Sequence, residues 1–171
     1  TDLRFQFTEV QTQADSPTAA RLQPGQQAPA FDATTLDGRK IKLADFKGKY
    51  LFLDFWATWC GPCVVEVPHL VALHQALGSR KDFEMLGVSL DPDEKALRKF
   101  ITDKGLVWPQ VFGEQAGARR MADQFGAIAI PTIYLIGPDG KIVAADLGGK
   151  ELVEQVRQRL DQPESSGEAS P

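Results

Sequence analysis

The sequence predicts an α/β domain built on a mixed central sheet with helices on both faces. Residues 50–57 and 83–90 are apolar runs of strand length, and a segment with helical periodicity follows each of them. Residues 132–136 and 141–145 are two further strand-like runs, and the turn sequence between them predicts an antiparallel hairpin. Strands joined by helices, followed by a hairpin and a last helix, give a sheet that combines parallel and antiparallel pairs.

The 171 residues fit one globular domain with less ordered ends. We expect an N-terminal extension or linker over residues 1–24, the domain itself over residues 25–161, and a disordered, polar and acidic tail over residues 162–171. Apolar and polar side chains alternate over residues 3–7, which predicts a short strand inside the extension.

Turn and cap residues mark the ends of the other elements. Residues 37–38 are an Asp-Gly pair and predict the turn of a hairpin, with residues 39–43 as its second strand. We expect Asp91 to cap the second main helix, Glu94 to complete a capping box and Gly105 to end that helix. The remaining predicted elements are a short strand at residues 111–112, a short helix over residues 118–125 and a last helix over residues 152–160.

The first main helix follows the apolar run of residues 50–57. Its predicted apolar stripe has three- and four-residue spacing and consists of Cys63, Val67, Leu70, His74 and Leu77. On this pattern His74 is a packed core residue. Pro62 suits the first turn, where its missing N–H costs nothing, whereas Pro68 lies in the interior and is expected to kink the helix.

Cys60 and Cys63 are the only two cysteines, and they lie where the apolar run meets this helix. A C-x-x-C at a strand-to-helix turn is typical of a redox-active pair. A zinc site needs four Cys or His ligands, but the two histidines, His69 and His74, lie roughly 140° apart around one helix. A structural disulfide is the other alternative, although closing so short a loop removes only about 2 kcal/mol of unfolded-chain entropy. We therefore expect no metal and no other cofactor.

Two carboxylates lie near the cysteines in the sequence. Asp54 is inside the apolar run, where an isolated carboxylate is costly and usually has a raised pKa. It is either a proton-handling group or a structural acid with satisfied hydrogen bonds. Glu66 lies one turn beyond Cys63 beside the apolar stripe, so it is either a proton relay or part of a solvated helix face.

The position of each cysteine predicts its role. A cysteine at the helix cap faces free backbone amides and the positive end of the helix dipole, which lowers its thiol pKa and makes Cys60 the attacking nucleophile. Cys63, inside the first turn, is expected to be more buried and to resolve the mixed disulfide. That second step needs a base, and Asp54 or Glu66 could accept the proton. Trp59 either contacts substrate or simply packs.

Two segments resemble thioredoxin. Residues 53–63, LDFWATWCGPC, are similar to its active-site segment, including the buried aspartate, and residues 125–132 are similar to the segment that carries its cis-proline. The resemblance implies the thioredoxin fold and a cis Ile130–Pro131 bond opposite the disulfide. It also implies that the Ile130 backbone is free to pair with an extended substrate segment. The implied substrate-binding residues are Trp59, Gly61, Pro62, Ile130 and Pro131.

Other segments resemble the narrower group of TlpA/ResA-like reductases. Residues 30–39 are similar to their opening hairpin, residues 63–68 to their cysteine–glutamate–proline spacing, and residues 89–112 to their strand and helix insertion. The spacing favours a functional glutamate after the second cysteine, and the match spans residues 25–160. Many members have no acid at the Asp54 position, so this chain combines a thioredoxin-type aspartate with a TlpA-type glutamate.

The resemblance implies a thiol–disulfide oxidoreductase that reduces protein disulfides outside the cytoplasm, in the periplasm or cell envelope, with cytochrome c maturation as a candidate task. Its partners would be protein disulfide substrates and an upstream thiol reductant. One alternative is a thiol peroxidase of the AhpC/TSA type, but Ala57 stands three residues before Cys60, where that chemistry favours threonine. The other is a redox-inert peptide-binding module.

Charge and hydropathy exclude other classes. The net charge of −4 at pH 7 and the lack of a basic cluster in the sequence argue against a nucleic-acid partner. No apolar run approaches the roughly 18 residues that span a bilayer. Because the chain starts at Thr1, we expect that a signal peptide, membrane anchor or larger region precedes it in the full-length protein.

Overall fold

A computed structural model describes residues 20–162. The strands are β1 (Asp32–Thr34), β2 (Lys40–Lys42), β3 (Tyr50–Trp56), β4 (Phe83–Ser89), β5 (Gln110–Phe112), β6 (Thr132–Ile136) and β7 (Ile142–Ala145). The helices are α1 (Gly61–Leu77), α2 (Glu94–Lys104), α3 (Ala118–Gln124) and α4 (Leu152–Asp161), with a 3-10 turn at Leu43–Phe46. The strand predicted over residues 3–7 and the tail beyond residue 162 lie outside the described residues.

The main sheet has the strand order β5-β4-β3-β6-β7. β3 lies at its centre, parallel to β4 and antiparallel to β6, so the predicted mixed sheet is confirmed. All seven residues of β3 are buried, which explains why its sequence is continuously apolar rather than alternating. β1 and β2 form the separate N-terminal hairpin that residues 37–38 predict.

Helices cover both faces of the sheet, as predicted. Side chains of β3 alternate between two core clusters. Phe52 and Trp56 pack on the face that α1, α2 and α4 cover, whereas Leu53 and Phe55 pack on the face covered by α3 and the N-terminal hairpin. By this alternation Asp54 points to the α1 face, the face that also holds both cysteines.

The stripe predicted for α1 is wrong at one position. The buried residues of α1 are Cys63, Val67, Leu70, Leu73 and Leu77. Leu73 takes the core position predicted for His74, because both are within one turn of Leu70 and the apolar side chain gains more from burial. His74 is half-buried, with its ring 5.6 Å from the ring of Trp108. The helix continues through Pro68 to Leu77.

The start of α2 also differs from the prediction. Its cap is Asp93, whose carboxylate accepts hydrogen bonds from the N–H groups of Lys95 and Ala96. Asp91 is buried instead and bonds to a different part of the chain. Two aspartates flanking a proline are equally good caps in sequence, so only the tertiary contact separates them. The predicted end at Gly105 is confirmed, since this glycine adopts φ +72°.

Residues on both sides of the predicted domain boundary contact the sheet. The Leu22 N–H donates to the Tyr134 hydroxyl at 3.2 Å, and the Gly25 N–H donates to the Ile142 carbonyl at 2.8 Å. The boundary between extension and domain at residues 24 and 25 remains a prediction. Among the described residues, no helix is long and apolar enough to cross a bilayer.

Gly87 lies in β4 between Asp54 on β3 and Gln110 on β5. A Cβ on Gly87 would clash with Oε1 of Gln110, the same oxygen that accepts the Trp56 indole N–H at 3.0 Å. Gln110 is buried, so its displacement would leave the Trp56 indole N–H without its acceptor. Because Gly87 of β4 has no side chain, the Gln110 amide of β5 reaches across β4 and accepts a hydrogen bond from Trp56 of β3.

Gly87→Ala should lower the free energy of unfolding by about 1–3 kcal/mol, because it breaks a buried hydrogen bond. Urea denaturation would measure this, with Gln110→Ala and the double variant completing the cycle. The loss should be smaller in the Gln110→Ala background, where the methyl group meets no amide. An equal loss in both backgrounds would contradict the proposed clash.

Candidate active site

Cys60 and Cys63 form a disulfide at the start of α1. Cys60 is the N-cap residue, with extended backbone angles of φ −88° and ψ 109°, and Cys63 lies in the first turn. The N–H of Cys63 points to the Cys60 sulfur at 3.3 Å. Both cysteines are buried, Cys63 more completely at 2% exposure against 6% for Cys60. The helix start therefore supplies a backbone donor to the more exposed sulfur.

The segment before β6 meets this disulfide. The Ile130–Pro131 peptide bond is cis, as the resemblance predicted. The Ile130 carbonyl oxygen lies 3.7 Å from the Cys60 sulfur. The tertiary fold thus brings together residues that are 70 positions apart in the chain.

Exposed side chains surround the cysteines. Trp59 precedes Cys60 directly and has 65% of its surface exposed, and Gly61 and Pro62 are exposed as well. Ile128, two residues before Ile130, is 79% exposed. Sequence reasoning missed Ile128, because an isoleucine within an apolar segment is normally interpreted as core. Its exposure is visible only once α3 and β6 are placed.

Asp54 is buried in the centre of β3 with 3% of its surface exposed. Its Oδ1 atom has no hydrogen-bond partner among residues 20–162. Burial, and secondly the charge of Glu66, raise the pKa of Asp54 to about 7. The carboxyl group is able to exchange a proton near neutral pH.

Glu66 is half-buried on α1, three residues after Cys63. Its Oε1 atom accepts a hydrogen bond from the Gly149 N–H at 2.6 Å. A Cβ on Gly148 would lie 3.0 Å from the same oxygen, so the loop between β7 and α4 closes tightly on this carboxylate. The sequence prediction did not include Gly148 and Gly149, and the only signal was a Gly-Gly pair before the last helix.

The site therefore contains a dithiol pair in its disulfide form, a backbone carbonyl beside it, and two carboxyl groups in different environments. Asp54 is desolvated, whereas Glu66 is hydrogen-bonded to the loop between β7 and α4. Within the described part of the chain, no three His, Cys, Asp or Glu side chains come together as metal ligands. Thiol–disulfide exchange with proton transfer is the chemistry that these groups support.

Comparison with known proteins gives a consistent result. The AhpC/TSA family model matches residues 24–145. The chain is 34% identical over 141 residues to the thiol-disulfide oxidoreductase ResA of Bacillus thuringiensis strain Al Hakam, covering 82% of this chain and 76% of that protein. It is 32% identical to ResA of Bacillus subtilis strain 168, covering 74% of this chain and 69% of that protein.

Solved structures agree. The thioredoxin domain of a thiol-disulfide oxidoreductase from Bacteroides vulgatus superposes with a TM-score of 0.72 at 35% identity, covering 80% of this chain and 97% of that one. A thiol:disulfide interchange protein from Bacteroides sp. gives a TM-score of 0.73 at 33% identity, covering 84% and 94% respectively. The chain belongs to the AhpC/TSA family and, within the thioredoxin fold, to the ResA-like thiol–disulfide oxidoreductases.

Proposed function

We propose that this protein reduces disulfide bonds of protein substrates, with Cys60 and Cys63 as its dithiol. One observation carries the proposal: the Cys60–Cys63 disulfide lies at the start of α1 beside the Ile130 carbonyl. The Gly61-Pro62 dipeptide between the cysteines matches reducing thioredoxin, which favours the reductive direction.

The reaction has two exchange steps. In the reduced protein, the Cys60 thiolate attacks one sulfur of a substrate disulfide, and the other substrate sulfur leaves as a thiolate. Cys63 then loses its proton and attacks Cys60, which releases the second substrate thiol and forms the Cys60–Cys63 disulfide. The substrate gains two electrons and the protein loses two. An upstream thiol reductant must return them before the next cycle.

Asp54 and Glu66 are the candidate bases for the second step. Asp54 points to the face that holds Cys63, and its raised pKa lets it take a proton near neutral pH. Glu66 lies one helical turn from Cys63, and its carboxylate accepts a hydrogen bond from the Gly149 N–H. We assign Asp54 the larger share because it is desolvated.

The proposed substrate groove runs along the residues that flank the disulfide. Trp59, Gly61 and Pro62 are exposed on one side, and the half-buried Ile130 and Pro131 form the other. Pro131 has no N–H, so an extended substrate segment would pair with the backbone of Ile130. The contact between the Ile130 carbonyl and the Cys60 sulfur supports a position of that segment next to the nucleophile.

The cell envelope is the compartment that we propose for this activity, with a membrane tether outside the 171 residues. The relatives named ResA favour a task of the same kind, and cytochrome c maturation is the candidate that the resemblance suggests. An apocytochrome with a disulfide in its haem-attachment motif would be a suitable substrate for the exchange described above.

The two cysteines should have unequal roles. Wild-type protein should catalyse dithiol-dependent reduction of insulin, and its reduction potential should lie nearer the roughly −270 mV of thioredoxin than the roughly −120 mV of DsbA. Cys60→Ser should abolish turnover, whereas Cys63→Ser should accumulate a mixed disulfide through Cys60. Mass spectrometry of the trapped species identifies the linked cysteine.

Hydrogen peroxide consumption by the same protein preparations distinguishes the proposed function from the two alternative functions. A thiol peroxidase would consume hydrogen peroxide faster than it reduces insulin, and a redox-inert binding module would show no turnover in either assay. Linkage of substrate to Cys63 in the Cys60→Ser variant at the wild-type rate would reverse the proposed roles.

The two acids should affect the second exchange step rather than the first. Asp54→Asn should leave mixed-disulfide formation nearly unchanged and slow its decay by about 10- to 100-fold, since it removes a general base. Single-turnover kinetics with a disulfide peptide resolve the two steps. Glu66→Gln is the matched variant, and slow decay in it alone would make Glu66 the base and Asp54 structural.

Asp54 should also make stability depend on pH. Its pKa is raised to about 7 in the folded protein, against about 3.9 for an unfolded aspartate. The folded chain therefore holds this proton more tightly, and the resulting stability is complete below about pH 4 and is lost as pH rises through about 7. Asp54→Asn has no ionisable group here, so it lacks this pH-dependent contribution. Between pH 4 and pH 8 the wild type should therefore lose up to about 4 kcal/mol of unfolding free energy that the variant does not lose.

Urea denaturation of the oxidised proteins across this range would measure the difference. In Glu66→Gln, which removes a charge that raises the Asp54 pKa, the loss of stability should be complete at a lower pH. Parallel pH profiles for wild type and Asp54→Asn would show that Asp54 ionises normally when folded.

A further inference from the structure

Asp91 has a role in the structure that helix capping does not explain. Its carboxylate is buried directly after β4, with 8% of the residue exposed. The N–H of Thr58 lies 3.1 Å from both carboxylate oxygens, and the Thr58 hydroxyl donates a short hydrogen bond to Oδ1. The Ser89 hydroxyl donates to Oδ2 at 2.7 Å. One carboxylate thus joins the end of β4 to a residue 33 positions earlier.

These partners are neutral donors. Among the described residues, no lysine or arginine forms an ion pair with Asp91, so it is held in place by hydroxyl and amide groups alone. Ser89 is itself 1% exposed, and its oxygen accepts the N–H of Asp91 at 3.1 Å. Hydrogen bonds to a charged, buried carboxylate are among the stronger ones in proteins, and they fix the geometry of both sides.

Thr58 lies in the turn that leads from β3 to the nucleophile. The Cys60 N–H donates to the Ala57 carbonyl at 3.2 Å across this turn, so Thr58 is one of its two central residues. The backbone angles of Cys60 then decide whether the Cys63 N–H reaches its sulfur, which it does at 3.3 Å. A shift of the turn would move the sulfur away from this donor.

We propose that Asp91 is a positioning residue for the nucleophile: by binding Thr58 it holds Cys60 at the helix cap, where backbone donors stabilise its thiolate. The inference rests on the proposed function, because it concerns the first exchange step. In that step the Cys60 thiolate forms a bond to a substrate sulfur, and the other substrate sulfur leaves with the electron pair. Asp91 does not contact the reacting atoms.

Neutralisation of Asp91 would change the rate of attack by Cys60 in opposite directions, depending on whether Asp91 acts through its charge or by positioning the turn. A negative carboxylate near Cys60 disfavours a second negative charge, so its neutralisation would by charge alone favour the thiolate and speed the attack. Loss of positioning would slow the attack, because the turn would no longer hold the sulfur against its donor. The sign of the change in rate therefore distinguishes the two.

The test is the rate of alkylation of Cys60 by iodoacetamide at pH 7 in the full chain. A Cys63→Ser background leaves Cys60 as the only thiol and keeps the backbone N–H of position 63. Asp91→Asn and Thr58→Val should each slow alkylation by about 3- to 10-fold, which corresponds to the loss of one hydrogen bond. Thr58→Ser, which keeps both donors, should restore the rate.

Asp93→Asn is the matched control. It removes the same charge two residues away, at the cap of α2, where it contacts neither Thr58 nor Cys60. It should leave the alkylation rate within about twofold of the parent, whatever it does to the melting temperature. In urea-unfolded protein all variants should react at one rate, which shows that any difference arises from the fold.

Faster or unchanged alkylation in Asp91→Asn and Thr58→Val would overturn the proposal, as would an equal slowing in Asp93→Asn. If Asp91→Asn fails to fold, the alkylation rates of Thr58→Val and Thr58→Ser test the proposal without it. The measurement needs no protein substrate. Absence of insulin reduction by wild type would therefore count against the proposed function and leave the role of Asp91 intact.

Discussion

The burial of β3 on both faces is the constraint on which the rest of this structure depends. All seven of its residues are buried, because they pair with β4 and β6 and pack against helices on either side. The chain leaves this strand at Trp56 and reaches Cys60 within four residues. The position of the nucleophile therefore depends on the buried centre of the sheet, and the same strand also holds Asp54 there.

The two acids of the site, Asp54 and Glu66, lie in different environments. Asp54 has lost water without gaining a partner for Oδ1 among the described residues, which favours its neutral form. Glu66 accepts a hydrogen bond from the backbone N–H of Gly149. The charge on Glu66 in turn makes ionisation of Asp54 harder, so the two groups together hold fewer negative charges than two isolated carboxylates would.

Sequence patterns predicted the fold well because apolar periodicity depends mainly on burial. β3, β4, the hairpin of β6 and β7, and the cysteines at the start of α1 were all found in this way. Local patterns failed where two adjacent choices were equivalent: Leu73 and His74 fit the same stripe, and Asp91 and Asp93 are equally good caps. The partners Gly149 and Thr58 could not be found, because backbone N–H donors have no signature in sequence and the Thr58 hydroxyl meets Asp91 only in the folded chain.

Several departures from ordinary folding rules lie in the segments that form the site. Asp54 is a buried carboxylate with an unpaired oxygen, and Trp59 and Ile128 are large apolar side chains left in solvent. Each arrangement is unfavourable by itself, and each lies in β3, in the turn that follows it or in the segment before Pro131. Asp91 belongs to the same region but follows the rules, since its hydrogen bonds are satisfied. It gives the unfavourable arrangement around Cys60 a fixed geometry.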